Sequence, residues 1–225
     1  MRLLYLNPNS SFAMTDGIVA AARRALPQAQ VLGWTNTDGP PAIQGPEDGE
    51  AAVAGLLALL PAARAAGADV IVIACFDDTG LAQVRAAAHC PVIGIGQAAY
   101  HMAALLGHRF SVITTLAVSV PVIEGNIAHS GFAALCGKVR ASGLGVLEVD
   151  QASAATLDRL ACEIDAANRD DGVTAGILGC AGMAQMADRL QARVSLHLID
   201  GVRAAALLAP ALHVARAGIV DGVQG

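Results

Sequence analysis

Short runs of apolar residues alternate along the chain with longer alanine-rich stretches whose apolar positions recur at helical spacing. The runs fall at 3–6, 30–34, 70–74, 92–95, 110–114, 138–141, 175–178 and 195–199, and these positions predict β-strands. The stretches near 11–25, 47–65, 80–88, 97–106, 118–134, 152–168, 183–191 and 202–217 predict helices. Within the runs apolar residues are continuous rather than alternating with polar ones, the pattern of parallel strands covered by helices on both faces. Strand–helix alternation at this spacing predicts the α/β class.

The pattern also repeats. GADVIVIACFDDTGL aligns with GVTAGILGCAGMAQM, placing Gly67 over Gly172 and Cys75 over Cys180, an offset of 105 residues. The same offset places Gly96 in CPVIGIGQAA over Gly201 in LHLIDGVRAA. Near the start, RLLYLNPNSS lies over RFSVITTLAV at an offset of 107, with Asn7 over Thr114. The repeat predicts two pseudo-symmetric lobes, 1–96 and 97–201, each a small parallel sheet flanked by helices, with an active site in the interlobe cleft. Residues 202–225 then form a C-terminal helix able to dock on the first lobe.

Composition narrows the function class. Of 225 residues, 55% are hydrophobic but Phe, Tyr and Trp number only 4, 2 and 1, and the net charge is −5. Such a chain can bury a core and is not disordered. Its mild acidity and scarce aromatics argue against a nucleic-acid partner. A membrane span is not expected, because the most apolar region, 56–74, is broken by Pro61, Arg64, Gly67 and Asp69. The opening MRLLYLNPNSS has too short an apolar run for a signal peptide. The expectation is a cytoplasmic protein with a small-molecule ligand, and the alanine-rich surface makes a homo-oligomer expected.

Cysteines stand at 75, 90, 136, 162 and 180. An odd number without an export signal argues for free thiols, and no pair has CxxC spacing, so no metal site is expected. Cys90, Cys136 and Cys162 lack repeat partners and read as core or partly buried thiols. Cys75 and Cys180 are different, because each ends a strand and opens a helix. In parallel sheets ligands bind beyond the carboxyl ends of the strands. Two thiols facing one cleft can invert a carbon acid: one removes a proton beside a carbonyl and the other returns one to the opposite face. With a reference pKa of about 8.5, a thiol can serve in either state, and no cofactor is needed if the protein stabilises the enolate. Cys180 is followed by Ala181 and Gly182, Cys75 by Asp77 and Asp78, so Cys180 is expected to carry more thiolate.

The segments NPNSS, ACFDDTGL, CPVIGIGQAAYHMA, VITTLAVSVPVIEGN, GKVRASGLGVL, LGCAGM and IDGVRAA resemble the aspartate/glutamate/hydantoin racemase superfamily, and most of all its hydantoin racemase branch. The resemblance runs over nearly the whole chain. It implies a cofactor-independent two-base racemase acting at C5 of 5-substituted hydantoins, with Cys75 and Cys180 as the bases. Allantoin, itself a 5-ureido hydantoin, is the neighbouring substrate. Aspartate or glutamate fits less well, since few Arg or Lys flank the motifs. A non-catalytic two-lobe ligand-binding protein is the alternative of another class, but it has no need of paired thiols. One departure is Thr79, where relatives often carry Pro.

Around the two thiols, Asn7, Asn9 and Ser10 could meet ring carbonyl or N–H groups, while Ser11 reads as the cap of the first helix. Thr114 and Thr115 end a strand, one as a cap and the other toward the substrate. Phe76 reads equally as pocket wall or core, Asp77 as a ring-orienting group, and Asp78 as the cap of the helix it precedes. Ala181 and Gly182 complete the second cysteine turn. The loop TNTDGPPAIQGPEDG reads as a lid that turns Ile43 and Gln44 into the pocket. GIGQAA has the look of a dinucleotide fingerprint but lacks the acidic residue about twenty positions on, so its glycines are ascribed to a tight turn. His197 reads as a core residue, and Glu124 and Asn126 as solvated or packing residues.

Overall fold

The computed structural model describes residues 1–221, with side chains described as far as 216; residues 222–225 of the expected C-terminal helix lie outside the described residues. In chain order the elements are β1 (Arg2–Asn7), α1 (Phe12–Ala25), β2 (Gln30–Thr35), α2 (Pro46–Ala58), α3 (Leu60–Ala65), β3 (Val70–Ile73), α4 (Leu81–Ala87), β4 (Val92–Gly94) and α5 (Ile95–Leu105). There follow β5 (Phe110–Thr114), α6 (Val120–His129), β6 (Cys136–Ala141), α7 (Val146–Asp150), α8 (Ala154–Asp170), β7 (Ala175–Gly179), α9 (Ala187–Gln191), β8 (His197–Asp200) and α10 (Gly201–Asp221).

The strands form two parallel four-stranded sheets, in the orders β2-β1-β3-β4 and β6-β5-β7-β8. The second order repeats the first, so β5 matches β1 and β7 matches β3. In each sheet the two central strands lead outward to opposite edges, which makes the gap beyond their carboxyl ends the topological switch point where ligands bind. Leu6 pairs with Ile73 at that end of the first sheet and Thr114 with Gly179 in the second.

Residues of β1 and β3 divide between two apolar layers, as the two-residue period of a strand requires. Leu4, Leu6, Ile71 and Ile73 pack with Leu56, Leu60 and Val84 beneath α2, α3 and α4. Leu3, Tyr5, Val70 and Val72 face a larger core that continues into the second lobe. Helix α10 packs against α1 and β3 of the first lobe as well as α5. Its first turn is pinned there by the Tyr5 hydroxyl, which donates to Val202 O at 2.7 Å.

Several helices are shorter than the apolar period suggests. The stretch 47–65 divides at Leu59, because Pro61 lacks an N–H and its ring clashes with the preceding turn. The stretch 118–134 becomes a 3-10 turn at Ala117–Ser119 and then α6, which stops before Gly131, a residue at φ +83°. The stretch 183–191 is a 3-10 turn at Ala181–Gln185 followed by the short α9. Cys162 is exposed, not partly buried, and His197 stands exposed at an edge strand, stacked on His108 at 5.2 Å, not in the core. No helix among the described residues is long and apolar enough to cross a membrane.

Candidate active site

Both sheets aim their switch points at one shared cavity. Cys75 and Cys180 line it from opposite lobes, together with Asn9, Ile43, Phe76, Asp77, Thr114, Thr115 and Ala181. Met14, Ser119 and Val146 also line it; these three had no sequence signal, because nothing near them marks the end of a central strand.

The turn after β3 is held from several sides. Asp78 N–H donates to Cys75 O at 3.0 Å, and Asp78 itself adopts φ +50°. Its carboxylate accepts the N–H groups of Gly96 at 3.0 Å and Gln97 at 2.7 Å. Asp78 is therefore a helix cap, but of α5 rather than of α4, which has Gly80 at its cap position and no side-chain bond there. That carboxylate also accounts for GIGQAA, since a Cβ on Gly94 would run into the Asp78 carboxylate and one on Gly96 into Phe76 O. From the second lobe Asn126 donates through Nδ2 to Asp77 O at 2.8 Å, and Ser119 Oγ donates to Asp77 Oδ2 at 3.3 Å. Asn126 is thus an anchor of the cysteine turn, not a solvated residue.

The turn after β7 is a 3-10 turn in which Met183 N–H donates to Cys180 O at 3.0 Å. Ala181 lines the cavity while Gly182 supplies an N–H toward the Cys180 thiol. Phe76 is both wall and core: it lines the cavity, is buried, and meets Tyr100 edge-on at 5.7 Å.

Two expected contacts are placed elsewhere. Asn7 is fully buried, and its Nδ2 donates to Asn9 Oδ1 at 2.9 Å, Ser11 O at 3.1 Å and Thr15 Oγ1 at 3.0 Å. With its oxygen taking the Asn9 N–H at 3.2 Å, it shapes the NPNSS turn and presents Asn9 to the cavity. Gln44 is exposed and accepts the Val146 N–H at 3.2 Å, so it ties the long loop to the second lobe while its neighbour Ile43 lines the cavity. Ser11 caps α1, accepting Met14 N–H at 3.2 Å. Thr114 spends its hydroxyl on Gly179 O at 3.1 Å, leaving Thr115 as the one of the pair able to offer a hydroxyl.

Burial dominates the electrostatics. It pushes the Cys180 thiol up to about 12, against which the N–H of Gly182 acts first and that of Met183 less. Cys75 is pushed higher still, by burial and then by the Asp77 charge; the Thr79 hydroxyl and Asp77 N–H oppose this. Of the two carboxylates beside Cys75 only Asp77 acts on it in this way. Burial raises Asp77 to about 6, with the Ser119 hydroxyl opposing, and Asp78 to about 7, with the Gln97 and Gly96 N–H groups opposing. Among the described residues no group of three His, Cys, Asp or Glu side chains could hold a metal ion.

The Asp/Glu/Hydantoin racemase family matches residues 3–209. The hydantoin racemase of Rhizobium meliloti is 42% identical over 213 residues, covering 94% of this chain and 88% of that protein. That of Pseudomonas sp. (strain NS671) is 32% identical and covers 90% and 82% of the two chains. The solved structure of allantoin racemase from Klebsiella pneumoniae superposes with a TM-score of 0.90 at 37% identity, covering 94% of this chain and 87% of that one.

Proposed function

The chain belongs to the Asp/Glu/hydantoin racemase family, and from that premise we propose that it racemises 5-monosubstituted hydantoins at C5 by proton transfer between Cys75 and Cys180. The single observation that carries this reading is the placement of two free thiols at equivalent strand ends of two matching sheets, lining one cavity.

In one direction the thiolate of one cysteine takes the C5 proton, and the electron pair moves into the adjacent carbonyl as an enolate. The thiol of the other cysteine then delivers its proton to the opposite face. The protein is left with the protonation of the two sulfurs exchanged, ready for the other enantiomer. A thiolate held away from water is a stronger base than a solvated one, which suits removal of a proton from carbon. Asn9 and Thr115, both lining the cavity, supply hydrogen-bond donors for the ring carbonyls.

Asp77 favours a second reading, allantoin as the preferred substrate. It is the charged side chain among the residues that line the cavity, and a carboxylate acceptor suits the N–H groups of a 5-ureido substituent better than it suits an alkyl group.

One experiment addresses both. Single enantiomers of 5-methylhydantoin and of allantoin are incubated in deuterated water, and optical rotation and C5 deuterium are followed above the uncatalysed rate. Cys75→Ser and Cys180→Ser should each lose racemisation by on the order of 10²–10⁴-fold, with residual exchange confined to opposite enantiomers. Wild-type rates surviving either substitution remove the two-base mechanism, and the ratio of the two substrates decides between them.

A further inference from the structure

Taking Cys75 and Cys180 as the two bases, we propose that Asn126 is a positioning residue for the reaction. From the lobe that carries Cys180, its bond to Asp77 O fixes where the Cys75 sulfur stands across the cavity.

The turn Cys75–Asp78 takes its shape from its own sheet and the start of α5. Ala74 N–H donates to Leu6 O at 2.8 Å, Asp78 N–H donates to Cys75 O at 3.0 Å, and the Asp78 carboxylate sits on the N–H groups of Gly96 and Gln97. None of these bonds refers to the position of Cys180. Two bonds from the second lobe do: Asn126 Nδ2 donates to Asp77 O at 2.8 Å, and Ser119 Oγ donates to Asp77 Oδ2 at 3.3 Å. The two donors stand seven residues apart, about two helical turns, and so face the same way. Buried Ile123 and Ile127 anchor α6, which packs on β6, so both donors move with the second sheet. The Asn126 bond is the shorter, and it holds the backbone two residues from Cys75, whereas Ser119 holds a side chain.

No such bond runs the other way. Among the described residues, the turn that follows Cys180 is tied by side chains of its own lobe, with Gln185 Nε2 donating to Asp150 O at 2.5 Å and Asp150 Oδ1 at 3.2 Å. Asn126 is therefore the backbone link between one cysteine turn and the sheet of the other. Proton transfer needs the reacting atoms about 3–3.5 Å apart, and a displacement of about 1 Å can cost about a hundredfold in rate. Two sulfurs carried on separate sheets stay in range of one carbon only if the sheets are held in register beside them.

The test uses Asn126→Leu, which keeps the volume, and Asn126→Ala, which favours the helix; both remove the donor. Each enantiomer of 5-methylhydantoin is incubated in deuterated water, and inversion is compared with C5 deuterium gained without inversion. The enantiomer that still exchanges in Cys75→Ser is the one deprotonated by Cys180. For that enantiomer the Asn126 variants should show exchange without inversion rising about tenfold relative to inversion, because delivery by the displaced Cys75 fails and the proton returns to the same face. For the other enantiomer the ratio should not rise. The kcat for inversion should fall about tenfold, with KM within about twofold and Tm within about 3 °C of wild type. A merely structural role would slow both enantiomers without changing this partition. A wild-type ratio in either variant that keeps its Tm, or a ratio that rises equally for both enantiomers, overturns the role of Asn126 and leaves the two bases standing. A wild-type protein that exchanges no C5 deuterium defeats the two-base reading, and this role with it.

Discussion

Gln44 Oε1 accepts the Val146 N–H at 3.2 Å, joining the long loop of the first lobe to the second lobe beside the cavity. Gln44 N–H in turn donates to Asp48 Oδ2 at 2.9 Å, which fixes the loop onto α2. The neighbouring Ile43 and Val146 both line the cavity, so this one bond holds together two of its apolar walls.

Because the bond spans the lobes and Gln44 is exposed, its loss should loosen the cavity without disturbing either core. Gln44→Ala is expected to raise KM about three- to fivefold, corresponding to a net hydrogen bond of about 1 kcal/mol, with kcat changed less and Tm nearly unchanged. Initial rates by polarimetry and a thermal melt check this. An unaltered KM would mean that the loop is held in place by other contacts.

The raised thiols dictate a pH dependence. Burial holds Cys180 near 12 and Cys75 above it, so near neutrality the thiolate fraction still climbs tenfold per pH unit. Between about pH 6.5 and 8.5 kcat/KM should therefore rise with a slope near one and no plateau. Asp77, near 6, is mostly charged over most of this range and adds no inflection above 7. A plateau at about 8 would place the working thiol in a solvated environment.

Away from the cavity, Arg140 forms a paired contact with Asp171, Nε to Oδ2 at 2.7 Å and Nη2 to Oδ1 at 2.6 Å, and Ser111 Oγ donates to the same Oδ2 at 2.7 Å. The guanidinium holds the Asp171 carboxyl below the usual range. A depressed folded pKa contributes stability that is complete above the unfolded value of about 3.9 and is lost as pH falls through the folded value. Arg140→Met should cost about 3 kcal/mol in urea unfolding at pH 7, and the gap should narrow below about pH 3, while kcat is unchanged. Equal midpoints at pH 7 would show that the pair adds nothing to stability.

How much of the site was legible in advance depended on how far each residue's partner lies along the chain. The strands, the paired cysteines and the Ser11 cap rest on local periodicity, on the repeat and on a bond to Met14, three residues on. Asp78 was legible as a cap, but its target lies 18 and 19 residues away. Asn126 reads in the sequence as a solvated or packing residue, because its partner, Asp77 O, is 49 residues back. Gln44 reads in the sequence as pocket-facing, while the partner it bonds, Val146 N–H, is 102 residues on, in the other lobe.

By itself the sequence determined the α/β class, the two matching halves and the two thiols at equivalent strand ends, because strand and helix periods are properties of neighbouring residues and a repeat is found by aligning the chain with itself, without knowing which segments touch. Only the tertiary structure decided which polar side chains meet the cavity. Asn7 turns inward to shape its own turn, Asn9 is presented instead, and Asp78 leaves the site to cap a distant helix. A polar side chain goes where its hydrogen bonds can be completed once water is excluded, and that is settled only when distant segments come together.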